Sequence, residues 1–192
     1  MRIISGRWRG RRLKGPAGLE VRPTTDRTRE ALFSILGPQV RGCVVLDLCC
    51  GAGGLGLEAL SRGAARAVFV DQARHSLEAT RANLELCGAE PDTYRLEAGE
   101  AMAWLKCWAG PGEVPWILLC DPPYQSGTAA AMMAYLGANE APAGLVCAVI
   151  EHGAQTPDLP ETGPDWQTRR YGASHLAIYR PGAVAPQPES TP

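Results

Sequence analysis

"CVVLDLCCGAGGLGLEALSRG" occupies residues 43–63. Its first six residues are almost wholly apolar and rich in valine and leucine, the mark of a strand buried on both faces. A run of small residues follows, and then an apolar segment with helical spacing. Strand, glycine turn and helix in this order form the opening half of a βαβ unit. The same alternation continues outward. "RAVFVD" (66–71) reads as the next strand, with a helix over about 73–87. "TYRLEA" is a weaker strand, followed by a helix near "GEAMAWLKCW". "WILLCD" (116–121) is a strand, "GTAAAMMAYLG" a helix and "GLVCAVIEH" a strand. "WQTRRYG" and "SHLAIYR" then alternate about Gly172 as an antiparallel hairpin. The pattern predicts a doubly wound α/β fold with a mostly parallel, seven-stranded sheet.

In such sheets ligands bind beyond the carboxyl ends of the strands. Asp47, Asp71 and Asp121 stand at or near three of those ends. The spacing Gly51-x-Gly53-x-x-Gly56 fits a nucleoside-cofactor loop, and Asp71, twenty residues past Gly51, is placed to take the hydroxyls of a ribose. The motif alone admits NAD. Asp47 argues for S-adenosylmethionine instead, because a carboxylate four residues before the first glycine suits a cationic amino-acid end better than a pyrophosphate.

The second deciding stretch is "ILLCDPPYQSG" (117–127), where a buried strand stops on Asp121-Pro122-Pro123-Tyr124. Prolines end the ladder and fix the direction of the preceding carbonyl. The result is a rigid turn carrying two acceptors, the Asp121 carboxylate and the Pro122 carbonyl, beside the flat ring of Tyr124. Those acceptors can hold both N–H groups of an exocyclic amine and aim its lone pair at a methyl donor, while the ring stacks on the base. No metal cluster is offered and the chemistry needs none.

Composition and charge bound the rest. With 192 residues and ordinary hydrophobic content, the chain supports a sizeable core. The start, "MRIISGRWRG", lacks an apolar signal core, no run reaches membrane-spanning length, and the seven cysteines include no C-x-x-C pair, so the expectation is a soluble, cytoplasmic protein with reduced thiols. Residues 1–29 carry nine basic and two acidic groups, leaving −8 for the remainder. Arg7, Arg9, Arg11 and Arg12, with Trp8 among them, form a small basic hairpin suited to a polyanion. "RPTTDRTREALFSIL" turns helical after Pro23, capped by Thr24, Thr25 or Asp26, with Ala31, Leu32, Ile35 and Leu36 as its apolar face. Three regions result: a basic extension (1–38), the main α/β domain (39–181) and a proline-rich, disordered tail (182–192). The three histidines, His75, His152 and His175, have no evident partner.

The combination of "DPPY" and "LDLCCGAGGLGLEAL" resembles the Rossmann-like class I S-adenosylmethionine-dependent amino-methyltransferases. With "MRIISGRWRGRRL", "RPTTDRTREALFSIL" and the spacing to "RANLELCG", residues 1–180 resemble the RsmD family, bacterial methyltransferases of N2 of guanine 966 in 16S rRNA. The resemblance implies that Asp47, Gly51, Gly53 and Gly56 surround the methionine part of the cofactor, that Asp71 holds its ribose and that Glu100 lies near its adenine. It implies that Arg22, Thr24, Arg29 and Glu30 close over the site, that the basic extension contacts RNA, and that Glu151 ends the fifth strand where the family often has a glutamate. The substrate it implies is 16S rRNA within the small subunit or an assembly intermediate, met by a monomer. Asp71 stands where the family usually has glutamate, and Cys49-Cys50 replace its aromatic–small pair. The residues alone leave open adenine-N6 or cytosine-N4 methylation of nucleic acid, protein-glutamine methylation, an NAD-dependent oxidoreductase and a non-catalytic RNA-binding factor.

Overall fold

The computed structural model describes residues 1–15, 26–160 and 162–182. Arg22, Thr24, Thr25 and residues 183–192, for which the sequence predicts a helix start and a disordered tail, lie outside the described residues.

Seven strands form one sheet: β1 (Val44–Leu48), β2 (Arg66–Asp71), β3 (Tyr94–Ala98), β4 (Trp116–Cys120), β5 (Leu145–Gly153), β6 (Trp166–Tyr171) and β7 (Ser174–Tyr179). Their order is β3-β2-β1-β4-β5-β7-β6. The first five are parallel, and β7 enters antiparallel between β5 and β6. Five helices link and cover them: α1 (Asp26–Leu36), α2 (Gly54–Ser61), α3 (Arg74–Cys87), α4 (Ala101–Cys107) and α5 (Thr128–Ala138). Every residue of β1 and β4 is buried, as their unbroken apolar sequences require.

Register positions the site. Leu48 pairs with Val70 on one side and Cys120 on the other, and Cys120 pairs with Ile150. Asp71, Asp121 and Glu151 each follow one of these residues, so all three stand at one level on the carboxyl edge. Neighbouring strands lie about 5 Å apart, which separates Asp71 from Asp121 by about two spacings and Asp121 from Glu151 by one.

The N-terminal segment does form a hairpin. Arg2 bridges Arg12, and the amides of Ile3 and Leu13 donate to the carbonyls of Arg11 and Met1. Its apolar residues Ile3, Trp8 and Leu13 join one hydrophobic cluster with Leu32, Phe33 and Leu36 of α1 and with the sheet residues Val45, Phe69 and Ile117. Trp8, interleaved in sequence with the hairpin arginines, is therefore a core anchor, and the Arg7 guanidinium stacks over its ring at 4.2 Å. The buried face of α1 also differs from expectation. Thr28, Arg29, Leu32, Phe33 and Leu36 are buried, while Ala31 and Ile35 are only partly so. Hairpin and sheet together cover this face, so it is wider than a helix lying on a sheet alone would need.

Candidate active site

A cavity of about 910 Å³ opens at the carboxyl edge, above β1 and its neighbours. It is lined by Asp47, Gly51, Asp71, Glu100, Asp121, Pro122, Pro123, Tyr124 and Glu151, and also by Met1 and Arg29 from the N-terminal segment. Residues spread over more than a hundred positions of chain thus meet in one place.

The glycine loop is held by two carboxylates. Asp71 Oδ2 accepts the Gly51 amide at 2.9 Å and Oδ1 accepts the Ala73 amide at 2.8 Å. Gly51 takes φ +55°, which L side chains rarely adopt. Asp47 is 1% exposed, and its Oδ2 accepts the Gly56 amide at 2.8 Å. Burial raises the Asp47 carboxyl to about 8, aided by the charges of Asp121 and Asp71 and opposed by the Gly56 hydrogen bond. Gly56 itself allows α2 to approach the sheet: a Cβ there would lie 2.2 Å from Phe69 Cε1. Gly53 starts the helix at φ +78°.

Two side chains to which the sequence reading gave no role complete the loop. The Thr80 hydroxyl donates to the Gly51 carbonyl at 2.9 Å. Asn83 donates to the carbonyls of Ala52 (3.0 Å) and Lys14 (2.9 Å) and accepts the Lys14 amide, clamping the end of the hairpin to the loop. Glu58 is a third residue that motif reading missed. It is 0% exposed and accepts the amides of Ile4 (2.7 Å) and Ser5 (3.0 Å) and the Arg62 Nε (2.7 Å). A glutamate in an otherwise apolar helix is the signal that could have found it, because such a group is buried only when paired.

Arg29 lies buried on the inner face of α1 and lines the cavity over which it was expected to close, so it does not belong to an exposed RNA-contacting surface. Its Nη2 donates to the Arg2 carbonyl (2.6 Å) and to Asp26 (2.7 Å), and Nε lies 4.0 Å from Glu58. Nη1 is buried without a hydrogen-bond partner among the described residues, near Gly54 at the start of α2. Desolvation lowers the Arg29 pKa, and the charges of Glu58 and Asp26 oppose that. Glu30, expected to close over the site, is instead exposed on the outer side of α1 and does not line the cavity. Glu100 caps α4, accepting the amides of Met102 (2.8 Å) and Ala103 (2.7 Å), so the acid expected near adenine sits at a helix N-terminus facing the cavity.

On the other side of Asp121 the turn is closed by Ser126, whose amide and hydroxyl both donate to the Pro123 carbonyl. Tyr124 reaches across to β5 and β7. Its hydroxyl donates to Glu151 Oε1 at 2.9 Å and lies 3.0 Å from Ser174 Oγ. A phenol has one proton, so Ser174 is the donor in the second bond. Burial, with the nearby charges of Glu151 and Asp121, raises the Tyr124 pKa to about 12, against the Ser174 hydrogen bond, so Tyr124 stays a neutral donor at working pH. Glu151 is 3% exposed and its Oε2 is buried without a hydrogen-bond partner among the described residues.

Arg7, Arg9, Arg11 and Arg12 are exposed. Arg11 also donates to the Leu86 carbonyl on α3. The hairpin tip lies at the far end of α2, where Arg7 and Trp8 donate to Ser61. Arg7 there lines a second, open depression with Arg41 and Arg62. Among the described residues, none of these four arginines lines the cavity. His152 and His175, read as lacking partners, are cross-strand neighbours with ring centroids 5.3 Å apart. No helix is long and apolar enough to cross a membrane among the described residues.

A family model described as "Conserved hypothetical protein 95" matches residues 1–180. The chain is 34% identical over 180 residues to "Ribosomal RNA small subunit methyltransferase D" of Escherichia coli, covering 94% of this chain and 88% of that one. It is 36% identical over 186 residues to "Putative rRNA methyltransferase YlbH" of Bacillus subtilis, covering 94% and 98%. A solved structure of a hypothetical protein from Thermus thermophilus superposes with a TM-score of 0.73 at 27% identity, covering 94% and 99%. The length of these matches, across hairpin, glycine loop and Asp-Pro-Pro-Tyr turn alike, makes the chain a member of the Conserved hypothetical protein 95 family, the RsmD family of methyltransferases.

Proposed function

We propose that the protein methylates the exocyclic N2 amine of a guanine in 16S rRNA, using S-adenosylmethionine. The observation that carries this reading is the meeting, in one cavity, of the Asp121-Pro122-Pro123-Tyr124 turn with the Asp47–Gly51–Asp71 loop. Family membership and the small-subunit rRNA named for the Escherichia coli relative support the substrate class.

The donor set fits this cofactor, and the volume of the cavity suits a nucleoside-sized ligand. Asp47 offers a carboxylate for the ammonium, the orphaned Arg29 Nη1 a cation for the carboxylate, and Asp71 an acceptor for the ribose. When bound, S-adenosylmethionine supplies an electrophilic sulfonium methyl and leaves as the neutral thioether S-adenosylhomocysteine. Asp121 and the Pro122 carbonyl accept the two N–H groups of the amine and turn its lone pair toward the methyl. With the cofactor bound, the N–C bond would form as the S–C bond broke, and Asp121 would take the proton that the amine then shed. The Tyr124 ring stacks on a base turned out of its helix. These residues act through position and charge, in line with a single displacement. The exposed arginines of the hairpin hold backbone phosphates at a distance from the reacting base. The substrate on this reading is the assembled small subunit or an assembly intermediate, met in the cytoplasm by a single copy of the chain.

Radiolabelled S-adenosylmethionine incubated with small subunits lacking guanine-N2 methylation, alongside naked 16S RNA and duplex DNA, tests the reading. Label in one guanosine of the subunit RNA supports it; label in adenine, cytosine or protein alone refutes it. Asp121→Ala should lower the rate on the order of 10²–10³-fold or more while S-adenosylhomocysteine still binds. Full activity in that variant would remove Asp121 from the chemistry.

A further inference from the structure

We propose that Glu151 selects guanine, by accepting the ring N1–H that lies beside the amine to be methylated. The inference rests on the guanine-N2 reading and assigns the residue that makes guanine the base accepted.

Glu151 stands one residue past Ile150 and Asp121 one residue past Cys120, and those two residues are register partners on adjacent parallel strands. The two acids are therefore neighbours on the carboxyl edge, about one strand spacing apart. Both line the cavity, and the charges of both act on the Tyr124 hydroxyl. The hydroxyl of Tyr124 donates to Glu151 Oε1, so the carboxylate sits at the edge of the ring that would carry the base.

Only one of its oxygens is used. Oε2 is buried and has no hydrogen-bond partner among the described residues, and the residue opposite Glu151 on β7 is Leu176, which has no side-chain donor. Holding the Tyr124 hydroxyl needs one acceptor, and a neutral amide would supply it. A buried carboxylate with an open oxygen is costly unless a donor arrives. The cavity is where that donor can come from.

The edges of the bases then decide. In guanine the N2 amine is flanked by N1–H, a donor. In adenine the N6 amine is flanked by N1, and in cytosine the N4 amine by N3, both bare acceptors that a carboxylate repels. With Asp121 on the amine and Glu151 beside it, only guanine offers a donor to each.

The test uses small subunits reconstituted with 16S rRNA carrying guanine or 2-aminopurine at the position the wild-type protein labels. 2-Aminopurine keeps the 2-amine but has a bare N1. The wild-type protein should prefer guanine in kcat/KM by on the order of 10²-fold or more. Glu151→Gln keeps an acceptor for Tyr124 and adds an amide donor for a bare N1, so it should shrink that preference at least about tenfold. S-adenosylhomocysteine affinity serves as the check on folding. Equal losses on both bases, with the ratio unchanged, would reduce Glu151 to a support for Tyr124 and overturn the proposal. A wild-type ratio near one overturns it without any variant. Absence of label from every guanine N2 overturns the functional reading itself, and with it this assignment.

Discussion

Asp47→Asn should abolish a steep pH dependence of S-adenosylhomocysteine binding. In the ligand-free protein burial holds the Asp47 carboxyl at about 8. An ammonium binds the charged form, so binding must first pay for a deprotonation. The charged fraction is about 1% at pH 6 and about 24% at pH 7.5, and apparent affinity scales with that fraction. The wild-type protein should therefore bind roughly 20-fold more tightly at pH 7.5 than at pH 6, a difference of about 2 kcal/mol. Binding near pH 6 should release nearly one proton, because the ammonium lowers the carboxyl's pKa in the complex. Calorimetric titration in two buffers of different ionisation enthalpy measures both quantities. Asparagine keeps the acceptor for the Gly56 amide and removes the titration, so its affinity should be flat across this window. A flat wild-type profile, or a variant that keeps the slope, would refute the role given to Asp47. The same shift has a stability consequence. Because the folded pKa lies above the usual value of 3.8, the stability it contributes is complete below about pH 4 and is lost as pH rises through about 8.

Gly56→Ala places a methyl 2.2 Å from Phe69 Cε1, and such overpacking should cost about 1–3 kcal/mol, read as a lower midpoint in denaturant; an unchanged midpoint would mean that α2 and β2 separate freely. Glu58→Ala strips the buried acceptor from Ile4, Ser5 and Arg62 and leaves Arg29 with less counter-charge, a loss of about 3–5 kcal/mol. Hydrogen exchange at the Ile4 and Ser5 amides should accelerate with it, and unaltered protection there would show the hairpin to be held by apolar packing alone. The His175 pKa is lowered by burial, with help from His152 and Arg170. A base with a depressed folded pKa leaves stability intact above about pH 6.5 and loses it as pH falls below, so acid melting curves should be less steep in His175→Gln than in the wild type.

The sequence by itself determined the fold class and which motif residues would gather at the carboxyl edge of the sheet. Buried strands alternating with helices leave little choice but a parallel sheet, and strand ends in such a sheet are where ligands bind. Asp47, Gly51, Asp71 and Asp121 could be found because each is tied to a local rule: a glycine turn, a strand terminus, a proline pair. Tertiary structure decided what has no local rule. Thr80 and Asn83 bond to Gly51 and Lys14, 29 and 69 residues away, and Glu58 holds the amides of Ile4 and Ser5 more than fifty residues away, contacts that no spacing announces. Arg29 looked like one more charge of a basic arm, yet the packing of α1 against the hairpin and the sheet turns it inward, where its charge must be paired or find a ligand. Trp8 went inward for the converse reason, since the hairpin has too little apolar surface to stay folded without burying it. Glu151 joins Tyr124 and Asp121 only because β5 pairs with β4 and β7 lies across it, and strand order, unlike strand content, is set by contacts that close long after the residues have been read.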